Sequence, residues 1–145
     1  HCNEARDNFE VEVFHEFNGK VPFVGICRGA QLLNILSGGK MIQDLPKSQY
    51  GSKPLDIDIH GDPAPPELAS ARITTYACHH QGILVPKPEK CLFTYAKEMG
   101  PPYTEIAVGV WFPEIKGLGI QSHPEWGHKH THDLFFNLIQ KYLEL

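Results

Sequence analysis

The stretch V-P-F-V-G-I-C-R-G-A-Q-L-L-N, residues 21–34, decides the fold, because it joins a strand pattern to a helix pattern through one cysteine. Residues 21–26 are nearly all apolar, which is typical of a short strand covered on both faces. A helical pattern follows over residues 28–36, and the Ser-Gly-Gly sequence after it predicts the end of the helix. Cys27 therefore lies at a predicted strand-to-helix turn.

A cysteine at such a turn has three physical advantages as a nucleophile. The turn lifts the side chain clear of the sheet, the helix dipole favours the thiolate, and the first helical N–H groups face a developing oxyanion. The turn is tight, so we expect Gly25 and Gly29 to be required beside Cys27. A buried structural cysteine is the alternative that this stretch alone leaves open.

Two further amphipathic patterns predict helices on either side of this unit. One covers residues 7–18, and the other covers residues 131–145, with Thr131 or Asp133 as its expected cap. Phe9, Val13, Phe14 and Phe17 form the apolar stripe of the first helix.

Strand-like segments occupy most of the second half of the chain, at residues 71–77, 91–98, 104–112 and 117–122. Residues 40–70 are rich in Pro, Gly, Asp and Ser, which predicts a long surface loop that covers something. Because helix, strand and helix in succession imply a parallel sheet, we expect a three-layer α/β domain with a mostly parallel central sheet. One domain should span residues 1–145.

Charge and composition exclude several classes of function. The chain has 13 basic and 17 acidic residues, a net charge of −4 and no basic cluster, which argues against nucleic acid or an anionic membrane as partner. No apolar run approaches the roughly 18 residues of a membrane span. The four cysteines form no C-x-x-C pair, so a soluble protein in the reducing cytoplasm is expected.

Two motifs in order resemble those of the class I glutamine amidotransferase-like superfamily. Residues 25–31, G-I-C-R-G-A-Q, are similar to its G-x-C-x-G-x-Q, and residues 119–125, G-I-Q-S-H-P-E, are similar to its G-x-Q-F-H-P-E. The resemblance implies a flavodoxin-like fold with Cys27 as nucleophile, His123 as base and Glu125 orienting the imidazole. On this basis we expect a lowered pKa for Cys27 and, among the four cysteines, the fastest alkylation there.

Three segments bring the resemblance closest to the gamma-glutamyl hydrolase branch, peptidase C26, whose members include gamma-glutamyl-gamma-aminobutyrate hydrolase. They are A-R-D-N-F-E at residues 5–10, the run from residue 26 to residue 45, and Y-A-C-H-H-Q-G-I at residues 76–83. The branch implies cysteine-dependent hydrolysis of gamma-glutamyl amides of small molecules through a glutamyl thioester, with no metal or organic cofactor.

The same resemblance implies roles for further residues. The backbone N–H of Arg28 would be one oxyanion donor, and Gln31, His80 and Gln81 would line the pocket for the glutamyl unit. From the residues alone, Gln31 could equally cap or pack within its helix, and His79-His80 could be an ordinary polar strand end.

The sequence departs from the family pattern in ways that keep rival functions open. The glycine-rich loop that gives the second oxyanion donor belongs to an N-terminal half that we expect to precede these residues, and Ser122 stands where an aromatic residue is usual. One rival is a glutaminase subunit that delivers ammonia to a synthase, and another is a non-catalytic remnant acting as a binding or structural module. The leaving amine, a synthase partner and homo-oligomer formation are left open.

Alternate histidines at His128, His130 and His132 are the remaining cluster of interest. Such a spacing can chelate a metal when the backbone is extended, but no matching ligand set accompanies it and a helix pattern follows. We therefore expect no metal site.

Overall fold

The structure is a computed structural model that describes residues 3–45, 53–56, 58–59, 74–84, 91–95, 106–126 and 129–144. The helices are α1 (Glu4–Phe17), α2 (Arg28–Leu36) and α3 (Lys129–Leu143). The strands are β1 (Phe23–Ile26), β2 (Met41–Ile42), β3 (Lys53–Asp56), β4 (Asp58–Ile59), β5 (Thr74–Ala77), β6 (Gly82–Leu84), β7 (Cys91–Tyr95), β8 (Ile106–Phe112) and β9 (Gly117–Ile120). Single 3-10 turns cover Pro113–Ile115 and Pro124–Trp126.

The helix ends follow local chemistry. Helix α2 has the predicted bounds, and Gly38 beyond it adopts a φ of +78°, which glycine adopts without strain. Helix α1 begins before the predicted start because the Asn3 side chain caps it, accepting a hydrogen bond from the Arg6 N–H at 3.1 Å. Helix α3 begins at Lys129, so Thr131 and Asp133 lie inside the helix and the predicted cap is wrong.

The apolar stripe of α1 is buried at only one of its four members. Phe14 is buried against Phe23 of β1, with ring centroids 5.0 Å apart, whereas Phe9, Val13 and Phe17 are 64%, 37% and 43% exposed. Helix α1 meets the β1-α2 unit through Phe14 and through the ion pairs of Asp7 and Glu10 with Arg28, while the side chains beside Phe14 are left partly exposed. Phe9 and Val13 line an open apolar cavity of about 210 Å³ between α1 and the β1-α2 unit.

Over the described residues the main sheet has seven strands, in the order β1-β9-β8-β6-β2, with β7 also paired to β8 and β4 paired to β7. Among the pairings that the structure describes, β1 with β9 is parallel and the others are antiparallel, so the described part of the sheet is mixed rather than mostly parallel. Only residues 113–116 separate β8 from β9, and so short a link can reverse the chain but cannot make a crossover. Strands β3 and β5 form a separate antiparallel pair.

The four predicted strand segments are confirmed over β5, β7, β8 and β9. The loop predicted over residues 40–70 is wrong in part, because β2, β3 and β4 lie within it. These strands are two to four residues long, too short for a clear alternation of apolar and polar side chains. The rest of that loop, from residue 46 onward, and the predicted connector at residues 85–89 lie outside the described residues.

Helices cover both faces of the sheet, which confirms three layers. Phe14 of α1 and Ala30 and Leu33 of α2 form one buried cluster with Ile83, Ala107, Val110, Phe112 and Ile115. Leu134 and Leu138 of α3 form another on the opposite face with Leu92, Val108, Leu118 and Ile120. Over the described residues, no helix is long and apolar enough to cross a membrane.

Candidate active site

Cys27 lies at the turn between β1 and α2 in a strained conformation, with φ 51° and ψ −107°. A non-glycine residue in such a region costs of order 1–3 kcal/mol and persists only where its surroundings hold it. The backbone N–H of Cys27 donates to the Ile120 carbonyl at 2.8 Å, and the Cys27 carbonyl accepts from the Gln31 N–H at 3.2 Å. The strained backbone and the hydrogen bonds that hold it therefore make Cys27 the candidate functional residue of this turn.

The two flanking glycines differ in what they contribute. A Cβ added at Gly25 would meet the Gly29 backbone at 2.5 Å, so β1 and α2 can approach only if residue 25 has no side chain. A Cβ added at Gly29 would meet nothing within 4 Å. The predicted need for a small residue is confirmed at Gly25 and is wrong at Gly29, which faces open space.

The sulfur of Cys27 lies beside two donors. The side-chain Nε2 of Gln121 is 3.9 Å from Sγ, and the backbone N–H of Arg28 also donates to it. Burial raises the pKa of the Cys27 thiol; the Arg28 N–H opposes this, and the charges of Cys78 and Glu125 raise the pKa further. The expected lowered pKa is wrong, because the cost of burying a thiolate exceeds the gain from one N–H donor.

His123 is held by three contacts. Its Nδ1 lies 2.6 Å from Oε1 of Glu125, and since a carboxylate only accepts, Nδ1 is the donor. Its ring stacks on Trp126 with centroids 4.0 Å apart and planes at 10°, and its backbone N–H donates to the Tyr76 carbonyl at 2.8 Å. These contacts fix the imidazole plane and leave Nε2 for proton exchange.

The pairing of β1 with β9 brings the cysteine and the histidine to one edge of the sheet. The two strands are parallel with Ile26 opposite Ile120, so Cys27 and His123 both follow the carboxyl ends of neighbouring strands. Ligands of α/β sheets bind at such ends. Glu125 is near enough for its charge to act on the Cys27 thiol.

A chain of amides connects Gln31 to the nucleophile. Nε2 of Gln31 donates to the Gln81 carbonyl at 3.2 Å and to Oε1 of Gln121 at 3.1 Å, while Gln121 in turn approaches Sγ of Cys27. Gln121 is fully buried, and the sequence reasoning missed it. The sequence does place this amide directly between an apolar strand and the S-H-P-E segment. An amide that is buried there must form hydrogen bonds, which could have indicated a role for it at the site.

The two neighbouring histidines face different surroundings. His80 is exposed, and its carbonyl accepts from the Leu45 N–H at 2.7 Å. His79 is half-buried, and its Nδ1 donates to the Gln81 carbonyl at 2.6 Å. Burial lowers the pKa of His79, the bond to Gln81 opposes this, and nearby His123 and His80 lower it further, which favours the neutral imidazole. The predicted role of His80 in the pocket stays a prediction.

A cavity of about 470 Å³ lies next to Gln31 and Gln81. Gln31, Arg28, Gln43 and Gln81 line it together with Arg6 and Asp7 of α1. Apolar side chains of α2 and Met41 also line it, so the cavity offers apolar surface as well as hydrogen-bond donors, acceptors and both signs of charge.

The described residues contain no group of three or more His, Cys, Asp or Glu side chains that could hold a metal ion. His132 lies in α3, whereas His128 and the side chain of His130 are outside the described part of the chain. Cys27 and Cys78 are free thiols.

The α/β fold that places Cys27 at a strand-to-helix turn is the fold of a known glutamine amidotransferase. A glutamine amidotransferase of known structure from Thermotoga maritima matches with a TM-score of 0.62 over 94% of this chain and 55% of that chain, at 20% identity. This similarity confirms the amidotransferase-like, flavodoxin-like α/β fold. The Peptidase C26 profile matches residues 1–125, and the chain belongs to that family.

Two relatives show the range of the wider superfamily. The glutamine amidotransferase-like protein YvdE of Lactococcus lactis is 29% identical over 149 residues, which cover 92% of this chain and 60% of YvdE. One subunit of the glutamine-hydrolysing GMP synthase of Ignicoccus hospitalis is 27% identical over 87% of this chain and 61% of its own length. The chain thus spans about 60% of the length of these relatives.

Proposed function

We propose that the protein hydrolyses gamma-glutamyl amide bonds with Cys27, His123 and Glu125 as its catalytic residues. The observation that carries the proposal is the placement of a strained cysteine and an oriented imidazole after two neighbouring parallel strands. Strain stored at a single residue is typical of functional sites. Membership of the Peptidase C26 family supports the same reaction class.

The first step forms a glutamyl thioester. Because the Cys27 thiol is protonated at neutral pH, Nε2 of His123 takes its proton as sulfur attacks the amide carbon. The C–S bond forms, the carbonyl electrons move to oxygen, and the Arg28 N–H donates to that oxyanion. The C–N bond then breaks, and the amine leaves with the proton from His123.

The second step returns the enzyme to its resting state. A water molecule gives a proton to Nε2 of His123 and attacks the thioester carbon, the C–S bond breaks, and the glutamyl gamma-carboxyl group is released. The proton on His123 returns to the sulfur. Throughout, Glu125 keeps Nδ1 protonated and stabilises the imidazolium.

Substrate selection is proposed to rest on the cavity that Gln31 and Gln81 line. Gln31, Gln81 and His80 are proposed to hold the alpha-amino and alpha-carboxylate groups of the glutamyl unit, at the cavity that Gln31 and Gln81 line. Groups built to bond a substrate reject analogues that leave them unpaired, so selection should be strict on the glutamyl side and broader for the amine. The reaction needs Cys27 reduced, which suits the cytoplasm.

A second candidate function is glutamine hydrolysis that supplies ammonia to a synthase. The observation that favours it is the similarity to the glutamine-hydrolysing GMP synthase of Ignicoccus hospitalis. Both functions use the same three residues, and they differ in the fate of the amine and in the need for a partner protein.

The test is release of glutamate by the complete protein from gamma-glutamyl amides, the matching alpha-linked and beta-aspartyl amides, and glutamine. We expect turnover of several gamma-glutamyl amides, with His123→Asn and Glu125→Gln lowering it about a hundred- to ten-thousand-fold. Comparable rates on alpha-linked compounds would contradict the assignment. Turnover of glutamine alone, stimulated by a partner, would favour the second candidate, and no turnover would favour a non-catalytic module.

A further inference from the structure

The guanidinium of Arg28 bridges two carboxylates of α1. Nη1 donates to Oε2 of Glu10 at 2.6 Å, and Nη2 pairs with Oδ1 of Asp7. We call Asp7, Glu10 and Arg28 the Arg28 cluster. Its members are partly buried, with Glu10 the least exposed at 24% of its side chain. Contacts between charged groups at such sites are stronger than those between neutral ones.

Arg6 reinforces the cluster from within α1. Its Nε donates to Oε1 of Glu10 at 2.7 Å, so both oxygens of Glu10 accept from a guanidinium. Burial alone would raise the pKa of Glu10, but the bond from Arg6 and the charges of Arg28 and Arg6 hold that pKa below its usual range. The Glu10 carboxylate is therefore ionised near neutral pH.

Helix α1 contacts residues that precede and follow Cys27 in the chain. Phe14, the buried residue of α1, packs on Phe23 before the turn, and the Arg28 cluster lies directly after it. Arg28 is also the residue whose backbone N–H donates to the Cys27 sulfur. Arg28 therefore pairs with α1 through its side chain and faces the nucleophile through its backbone N–H.

We infer that Asp7 and Glu10 are positioning residues, which hold the Arg28 main chain so that its N–H faces the Cys27 sulfur and the developing oxyanion. They act on the sulfur through Arg28, and the residues proposed to hold the glutamyl unit are Gln31, His80 and Gln81 rather than these two carboxylates. The strained Cys27 conformation needs surroundings that hold it, and the cluster supplies one such restraint. The inference rests on the proposed function for its effect on turnover but not for its effect on the turn itself.

The experiment compares wild type with Asp7→Asn/Glu10→Gln, which keeps the shape of both side chains and removes both charges. We expect kcat for gamma-glutamyl amides to fall about tenfold or more while KM changes little, since a donor to the transition state is misplaced. Backbone hydrogen exchange, measured by mass spectrometry, should become faster in the peptide that contains Arg28. Asp7→Glu/Glu10→Asp, which restores both charges, should recover part of kcat.

The matched control is Glu16→Gln, which removes the ion pair of Glu16 with Lys20 at the far end of α1, away from Arg28. It should leave kcat and the exchange of the Arg28 peptide unchanged. Unchanged kcat and exchange in the double variant would overturn the inference, as would exchange that quickens equally along the whole chain. Faster local exchange in a protein whose wild type hydrolyses nothing would support the cluster and contradict the proposed function.

Discussion

Cys27 combines a strained backbone with a buried sulfur, and the two features have opposite consequences for reactivity. The φ of 51° presents the side chain at the end of β1, whereas burial raises the pKa of the thiol. A raised pKa means that the folded state binds the thiol proton more tightly than the unfolded chain does. The thiolate fraction is therefore smaller in the fold, and it grows as the pH rises through the shifted pKa.

Alkylation against pH tests this account of the thiol. We expect the rate of Cys27 modification by iodoacetamide to rise through a midpoint above the ordinary thiol value of about 8.5. At a pH of about 8, the folded protein should react more slowly at Cys27 than the urea-unfolded chain does. Mass mapping of the Cys27 peptide gives the rate, and fastest labelling at Cys27 near neutral pH would contradict the raised pKa.

At the residue scale, sequence motifs located the candidate site but not its electrostatics. Cys27, His123 and Glu125 lie within two short patterns, and the contact of His123 with Glu125 needs only local chain geometry. The contact of Gln121 with Cys27 joins residues 94 positions apart, and the burial that raises the Cys27 pKa depends on packing. Neither property is visible in a local pattern.

The β1-turn-α2 element depends on close approach of two backbones at Gly25. Gly25→Ala would place a Cβ 2.5 Å from the Gly29 backbone, which cannot move without shifting α2. Overpacking of this kind typically costs about 1–3 kcal/mol, and here the displaced group is the start of the helix itself. We expect Gly25→Ala to lower the midpoint of urea unfolding and to disturb the turn.

Gly29→Ala is the matched variant, four residues further on. The added Cβ meets nothing, and alanine favours a helix over glycine by about 0.5–1 kcal/mol in helix interiors. Stability should therefore be unchanged or raised. A larger loss of stability for Gly29→Ala than for Gly25→Ala would contradict the account of the turn.

Element prediction from sequence was best where one strong pattern spans the whole element. The bounds of α2 were predicted because an apolar periodicity ends at a glycine pair, while β2, β3 and β4 were missed because each is too short to show a period. The first helix was predicted from its apolar stripe, but the stripe did not indicate that Phe14 alone would be buried. The contact of this helix with Arg28 is ionic, and apolar periodicity carries no signal for it.

At the scale of the whole molecule, three layers were predictable and the strand directions were not. Short links such as residues 113–116 determine that β8 and β9 are antiparallel, and link length depends on strand ends that the sequence gives only approximately. The parallel pair among the described strands, β1 with β9, is nevertheless the pair that brings Cys27 and His123 to the same edge.

The central claim, that Cys27 forms a glutamyl thioester during hydrolysis of gamma-glutamyl amides, is tested most directly by trapping that intermediate. The complete protein would be mixed with an activated gamma-glutamyl anilide, quenched in acid within one turnover, and digested for mass spectrometry. We predict that the peptide containing Cys27 gains the mass of one glutamyl group, and that Cys27→Ala shows neither this gain nor turnover. Hydrolysis that persists in Cys27→Ala, or a glutamyl group found on another residue, would contradict the account.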